Sequence, residues 1–295
     1  MSELRELISL YRSTSVDLAR AQTESHNLTL INDLNAIVGR AYAVIYRAPT
    51  QRLSDTVRAM LTAAARSTRK LKWFILATLI PFFLGIVVSS VTLTVRPDLR
   101  HHLVSAQEES LFDHWAKAEF EAPEGMEQTE MWMFYASHNP MVLLLNVSSG
   151  LGSGGILSTA MVYRMGIQLG ALSHKMQEVD KLPFLITSLM PHGASELNGL
   201  FVGAGAGLAL GWAWLVPGRR SRTMAVRETG KHALVVALQA FIMMLIAAPF
   251  EGFFSFSPQF PQWLKGMVGV FVLAAWLLFW TFYARDPELE SGTNK

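Results

Sequence analysis

The chain of 295 residues contains no cysteine. Disulfides, thiolate metal sites and cysteine nucleophiles are therefore excluded. Charge is also scarce: Asp, Glu, Lys and Arg make up 16% of the residues, where a soluble domain carries about a quarter. The net charge of +2 and a pI near 8.9 are too mild to point to nucleic acid. No GxSxG elbow, phosphate-binding P-loop or HExxH zinc pair occurs. Gly152–Gly155 is glycine-rich but lacks the strand and lysine of a nucleotide loop. The first ~70 residues show no short apolar core with a small-residue cleavage site, so no secretory signal is expected.

What is abundant is apolar sequence. Hydrophobic residues make up 51% of the chain, and they gather in long runs. The reading that follows is an all-α, polytopic membrane protein rather than two soluble domains. Residues 1–70 carry apolar positions at helical spacing, including Leu4, Leu7, Ile8 and Tyr11, then Leu30, Ile31, Leu34, Ile37 and Val38. They predict an amphipathic helical cytoplasmic domain, divided at Pro49 and ending in Arg66, Arg69, Lys70 and Lys72. Residues 71–285 form the membrane domain, and 286–295 a polar tail.

Trp73–Val95 is the first span and reads as an uncleaved anchor, kinked at Pro81. Residues 96–140 form a polar outer segment carrying Glu108, Glu109, Asp113, Glu119, Glu121, Glu124, Glu127 and Glu130. Phe112, Trp115 and Phe120 predict a surface helix there, and Trp132, Phe134 and Tyr135 an interfacial belt. Met141–Ala171 and Leu182–Val216 are interrupted apolar stretches, the second broken at Pro191-His192-Gly193. Arg219, Arg220, Arg222, Arg227 and Lys231 then precede two last spans, His232–Phe250 and Trp263–Tyr283.

Both basic clusters favour the cytoplasmic side, so an even number of crossings must separate them. Hydropathy shows three stretches. One of the about five embedded segments is therefore re-entrant, broken or a tight helical hairpin. The Gly-rich stretch 141–171 fits this role best; the alternative is that 182–216 loops back.

Polar residues inside such segments mark candidate sites, because an ionised group at mid-membrane costs about 2.5–3.5 kcal/mol on insertion scales. Pro191 and Gly193 predict a helix start that places Glu196 in a first turn, four residues after His192. Asn146 and Glu251 are the further members of an expected cluster of Asn146, His192, Glu196 and Glu251. Ser195, Gly199, Gly203, Gly207 and Gly211 recur at every fourth position, a small-residue ladder for close helix packing, either within the chain or in a homodimer. His101, His102, Asp113 and His114 share no ligand spacing, so no metal and no cofactor is expected. The same gaps argue against an enzyme.

Three strings resemble one family. The opening LRELISLYRSTSVDLARAQ, the string PHGASELNGLFVGAGAGLALGW and the string APFEGFFSFSP, together with Asn146 and its glycine-rich surroundings, are similar to the stage II sporulation protein M family. The resemblance covers about residues 3–285, apart from the acidic outer segment. His192, Gly193, Glu196 and Glu251 match its motifs. It implies a polytopic bacterial inner-membrane protein, linked in spore formers to a complex that remodels peptidoglycan during engulfment. Such relatives also occur in bacteria that do not sporulate. The expected function is accordingly a scaffold or assembly partner in cell-envelope remodelling, with other membrane or envelope proteins as partners. A transporter or ion-coupled permease using the His/Glu/Asn cluster is the alternative.

Overall fold

A computed structural model describes residues 2–46, 52–117 and 126–285, which are helical with no strand among them. Pro49, Glu119, Phe120, Glu121, Glu124 and the tail 286–295 lie outside the described residues, as do the side chains of His114, Trp115 and Glu127. The chain divides into two compact units, 1–58 and 59–295.

In the first unit, α1 (Ser2–Glu24) and α2 (Leu28–Ile45) form an antiparallel hairpin. Asn27 caps α2 by accepting from the Thr29 and Leu30 amides. Tyr11 near the start of α1 meets Tyr42 and Tyr46 at the end of α2, with ring centroids 6.4 and 6.3 Å away. Helix α3 (Leu53–Lys70) begins here, and its second half belongs to the other unit, where Ala64, Ala65, Ser67 and Thr68 are buried.

Four helices of the second unit are long and apolar enough to cross a membrane. They are α4 (Lys72–Val95), α9 (Leu182–Leu215), α10 (Arg222–Pro249, continued by a π turn Phe250–Ser255) and α11 (Gln262–Phe282). Together with the all-helical fold they make this a membrane protein. Between α4 and α9 come α5 (Arg100–Leu103), α6 (Ala106–Lys117), α7 (Met126–Gly152) and α8 (Ile156–Glu178). The Gly-rich stretch is thus a tight hairpin of α7 and α8. It turns at Gly154 and Gly155, whose φ values of +66° and +95° only glycine adopts without strain. Four long helices then separate the two basic clusters, and the parity conflict disappears.

Helix α9 is central. Of its most apolar window 61% is buried, against 11% for α11 and 22% for α4. It runs unbroken through Pro191-His192-Gly193, so the predicted break and helix start there are corrected. Pro191 is fully buried, and neighbouring helices shield the backbone group it leaves unbonded. The small-residue ladder on α9 does not form one stripe. Steps of four residues advance by about 40° beyond a full turn, so the ladder winds around the helix. Ser195 accepts from Trp276 of α11, and Gly199 faces Ala240 and Met243 of α10. Gly203 faces Leu143 of α7, Gly207 faces Asn146 and Ser158, and Gly211 meets the hairpin turn. The chain's own helices occupy every rung, so the ladder is not a seam for a second copy. Where α7 crosses α9, a methyl on Gly150 would come within 2.6 Å of the Gly207 Cα.

Helix α6 is fixed by a capping box. Ser105 and Glu108 exchange hydrogen bonds, Ser105 N to Glu108 Oε2 at 2.7 Å and Glu108 N to Ser105 Oγ at 3.3 Å. Glu108 also accepts from Arg164 of α8 at 2.6 Å and from Gln168. Phe112 is buried beside Leu93, Met176 and Leu185, so the predicted surface helix is docked on the bundle. At the opposite end of the bundle, Arg69 of α3 donates to the Trp280, Tyr283 and Ala284 carbonyls that close α11.

Two outcomes test this packing. Gly150→Val should destabilise the detergent-solubilised protein by roughly 1–3 kcal/mol, since backbone must move to admit it. Gly152→Ala, where a side chain meets open space, should leave thermal unfolding unchanged. Burial pushes the Glu108 carboxyl upward, but its bonds to Ser105, Gln168 and Arg164 outweigh this and hold it below the usual carboxylate range. A lowered carboxyl contributes stability above its unfolded value of about 4.3, and this is lost as pH falls through the folded value. The protection of the α6 amides against hydrogen exchange, corrected for the intrinsic rate at each pH, should therefore fall below about pH 4. Glu108→Gln should exchange faster already at neutral pH, with little further acid response. Equal exchange in both proteins at pH 7 would refute the docking role.

Candidate functional site

The site gathers on one face of α9, near the middle of that helix. His192 and Glu196 stand one turn apart, and both line a cavity of about 350 Å³. Its walls are apolar, formed by Leu111 and Phe112 of α6, Met131 of α7, Met165, Leu169 and Leu172 of α8, and Leu189. Glu108 and Gln168 stand at one edge, and Glu251 faces His192 and Glu196 across the space.

Glu251 arrives there through the π turn after α10. Pro249 ends the regular hydrogen-bond ladder, and Gly252 lets the chain press on Trp132, where a methyl would lie 2.8 Å from the Trp132 Cβ. The same turn supplies Ser255, whose Oγ lies 2.7 Å from His192 Nδ1. His192 is buried, its ring tilted against Phe256 with centroids 5.7 Å apart. Glu251 is buried as well. It accepts from Asn139 Nδ2 at 3.4 Å and interacts with the Tyr135 phenol. Among the described residues Glu196 has no hydrogen-bond partner. One ligand-type atom each from His192, Glu196 and Glu251 all lie within 4.8 Å of one another.

Three of the four residues expected to cluster are therefore together, and Asn146 is not. Its Oδ1 accepts from Ser158 beneath Gly207, its Nδ2 has no partner among the described residues, and it lines neither cavity beside His192 and the carboxylates. Asn139 takes the place assigned to it. The two asparagines are seven residues apart on α7 and share a face, separated by about 10 Å of helix rise. Tyr135, expected in an interfacial belt, lines the cavity instead. Tyr135, Asn139 and Ser255 were missed because none stands out as a polar residue in a long apolar run. Ser255 could have been found from the APFEGFFSFSP string, four residues after Glu251.

Beyond Glu196 lies a second cavity of about 60 Å³, lined by Asn139, Leu143, Met165 and Leu200 among others. Glu196, Leu197 and Met165 border both spaces. Glu196 thus stands at the partition between a wide cavity and a narrow one, and neither is lined by Lys or Arg. Chemically, the site is a largely apolar chamber that gathers His192, Glu196 and Glu251 at one place and carries Glu108, Gln168 and Tyr135 elsewhere in its lining, a set suited to hold positive charge.

A family model described as a domain of unknown function matches residues 1–47, within the first compact unit. No curated protein and no solved structure matches the chain. The model described as stage II sporulation protein M matches residues 76–256, more than half of the chain and all three clustered residues. By that match the chain belongs to the stage II sporulation protein M family.

Proposed function

We propose that this chain is a permease-type membrane protein that binds a small cationic solute in the cavity and passes it by Glu196. The observation that carries this reading is the position of Glu196 and Glu251 in a largely apolar chamber whose lining holds no Lys or Arg to pair with them. Two carboxylates this close repel, and a cation between them relieves that repulsion, as sharing a proton also would. The cavity volume of about 350 Å³ is that of a small-ligand site, and the narrow space beyond Glu196 gives such a ligand somewhere to go. The reading is one of binding and passage, not catalysis.

A second reading, a scaffold for cell-envelope remodelling, is favoured by a different observation. The unit 1–58, built on the α1–α2 hairpin, is compact by itself, and a permease would not need it. Crosslinking in native membranes, followed by mass spectrometry, would recover cell-wall enzymes or neighbouring membrane proteins in near-equal amounts under this reading. In both readings the protein lies in a bacterial inner membrane with its N-terminus cytoplasmic. The basic clusters at Arg66–Lys72 and Arg219–Lys231 support that orientation.

The absence of cysteine makes orientation directly testable. Asp113→Cys should react with an impermeant maleimide in intact cells, and Arg219→Cys only after permeabilisation. The reverse pattern would invert the topology. For function, liposomes containing the protein should take up labelled methylammonium or guanidinium saturably. Glu196→Gln and Met165→Trp, the latter narrowing the passage between cavities, should each lower uptake roughly tenfold or more while the protein stays monodisperse. Uptake no faster than from protein-free liposomes, for every cation offered, would remove the permease reading.

A further inference from the structure

The cavity's polar end has a composition that a small organic cation would not require. Holding a positive charge needs one carboxylate, and hydrogen bonding an ammonium needs acceptors only. Here a buried imidazole joins two carboxylates, brought from two different helices to within 4.8 Å of one another. A metal ion uses all three groups at once.

The local arrangement around each group is what metal binding demands. His192 Nδ1 is engaged by Ser255 Oγ at 2.7 Å, which fixes the ring and leaves Nε2 without a hydrogen-bond partner among the described residues. A ligating histidine is commonly held in this way through its other nitrogen. One side of Glu251 is held by Asn139, 3.4 Å away, and by Tyr135. Glu196 has no hydrogen-bond partner among the described residues and faces the same space. Around a tetrahedral ion with bonds of about 2.0–2.2 Å, ligand atoms lie roughly 3.4 Å apart. The present spacing, within 4.8 Å, is wider than that, so the ligands must draw together when an ion binds. The cavity leaves the remaining coordination positions open to water or a ligand.

Charge selects the kind of ion. In a space of low dielectric, two carboxylates and a neutral imidazole are balanced by a divalent cation and left negative by a monovalent one. One nitrogen and two oxygen donors suit zinc, manganese or ferrous iron; a magnesium or calcium site would be built from oxygen alone. The residues also lie on α9 and on the π turn, so no sequence spacing such as HExxH announces them.

We infer that His192, Glu196 and Glu251 bind one divalent transition-metal ion, held at the end of the 350 Å³ cavity with open coordination positions. The inference deepens the cation reading given above but rests on the three ligands, and it holds whether the ion is cargo or a resident anchor for another ligand.

The test uses the full-length protein in nanodiscs, stripped with chelator and titrated separately with zinc, manganese and magnesium. Bound metal is counted by mass spectrometry, and cobalt is added as a spectroscopic probe. Near one zinc or manganese per chain is expected, with magnesium bound far more weakly. The cobalt visible absorption should show nitrogen–oxygen ligation, and it should shift in His192→Gln. Ser255→Ala, which only frees the ring, should weaken binding about 10–100-fold. Glu196→Gln with Glu251→Gln should abolish it. The inference is overturned if that double variant, with unchanged monodispersity and thermal unfolding, binds as much metal as the parent protein. Preference for magnesium would overturn it too. Metal binding without uptake of any cation into liposomes would remove the permease reading and leave the metal site standing. Organic-cation uptake by a stripped protein that binds no metal would do the opposite.

Discussion

The close approach of α9 to the α7–α8 hairpin is the contact on which the rest of the unit depends. Hydrocarbon offers no hydrophobic gain for helix association, so contact between helices has to come from tight packing. Gly150 and Gly207 provide it by leaving two backbones with nothing between them. That crossing fixes the depth of α7 against α9. With the depth fixed, Tyr135 and Asn139 stand at the level of Glu196, and Asn146 lies two turns away with Ser158. Helices α4 and α8 use the same device, with Gly85 against the backbone of Tyr163–Ile167. The polar site is therefore placed by residues that carry no chemistry.

The site also depends on an irregular piece of backbone. A regular helix would carry Glu251 and Ser255 past the cavity at α-helical phase. The π turn after Pro249 re-aims both toward α9, one at the cavity and one at His192. Histidine and carboxylate are thus tied to one another through backbone geometry as well as through space. The apolar walls contributed by α6 and α8 depend in turn on the Glu108 capping box, which fastens an amphipathic helix over the chamber.

Much of this was legible in the sequence because hydrocarbon imposes simple rules. Span positions, the helical class and the need for one hairpin followed from run length and basic clusters. His192 and Glu196 followed from helical spacing, and Glu251 from its place at a span end. Three features were not legible. Pro191 and Gly193 look like a break, yet a buried helix with close neighbours tolerates both, so local propensity lost to packing. Asn139 and Asn146 share a face, so periodicity could not choose between them; only relative depth could, and depth is set by helix crossings. The glycine ladder reads as one stripe when residues are counted in fours, whereas on a real helix it winds from α11 to the hairpin turn.

The clasp between Arg69 and the end of α11 has a consequence in time. Its two halves are 211–215 residues apart in the chain. At synthesis rates of about 5–20 residues per second, Arg69 emerges roughly 10–40 s before its partners exist. During that interval the Trp280, Tyr283 and Ala284 carbonyls are not yet there to accept from it. The bundle is closed last at the point where it was begun, so a nascent chain that loses its final span lacks this closure.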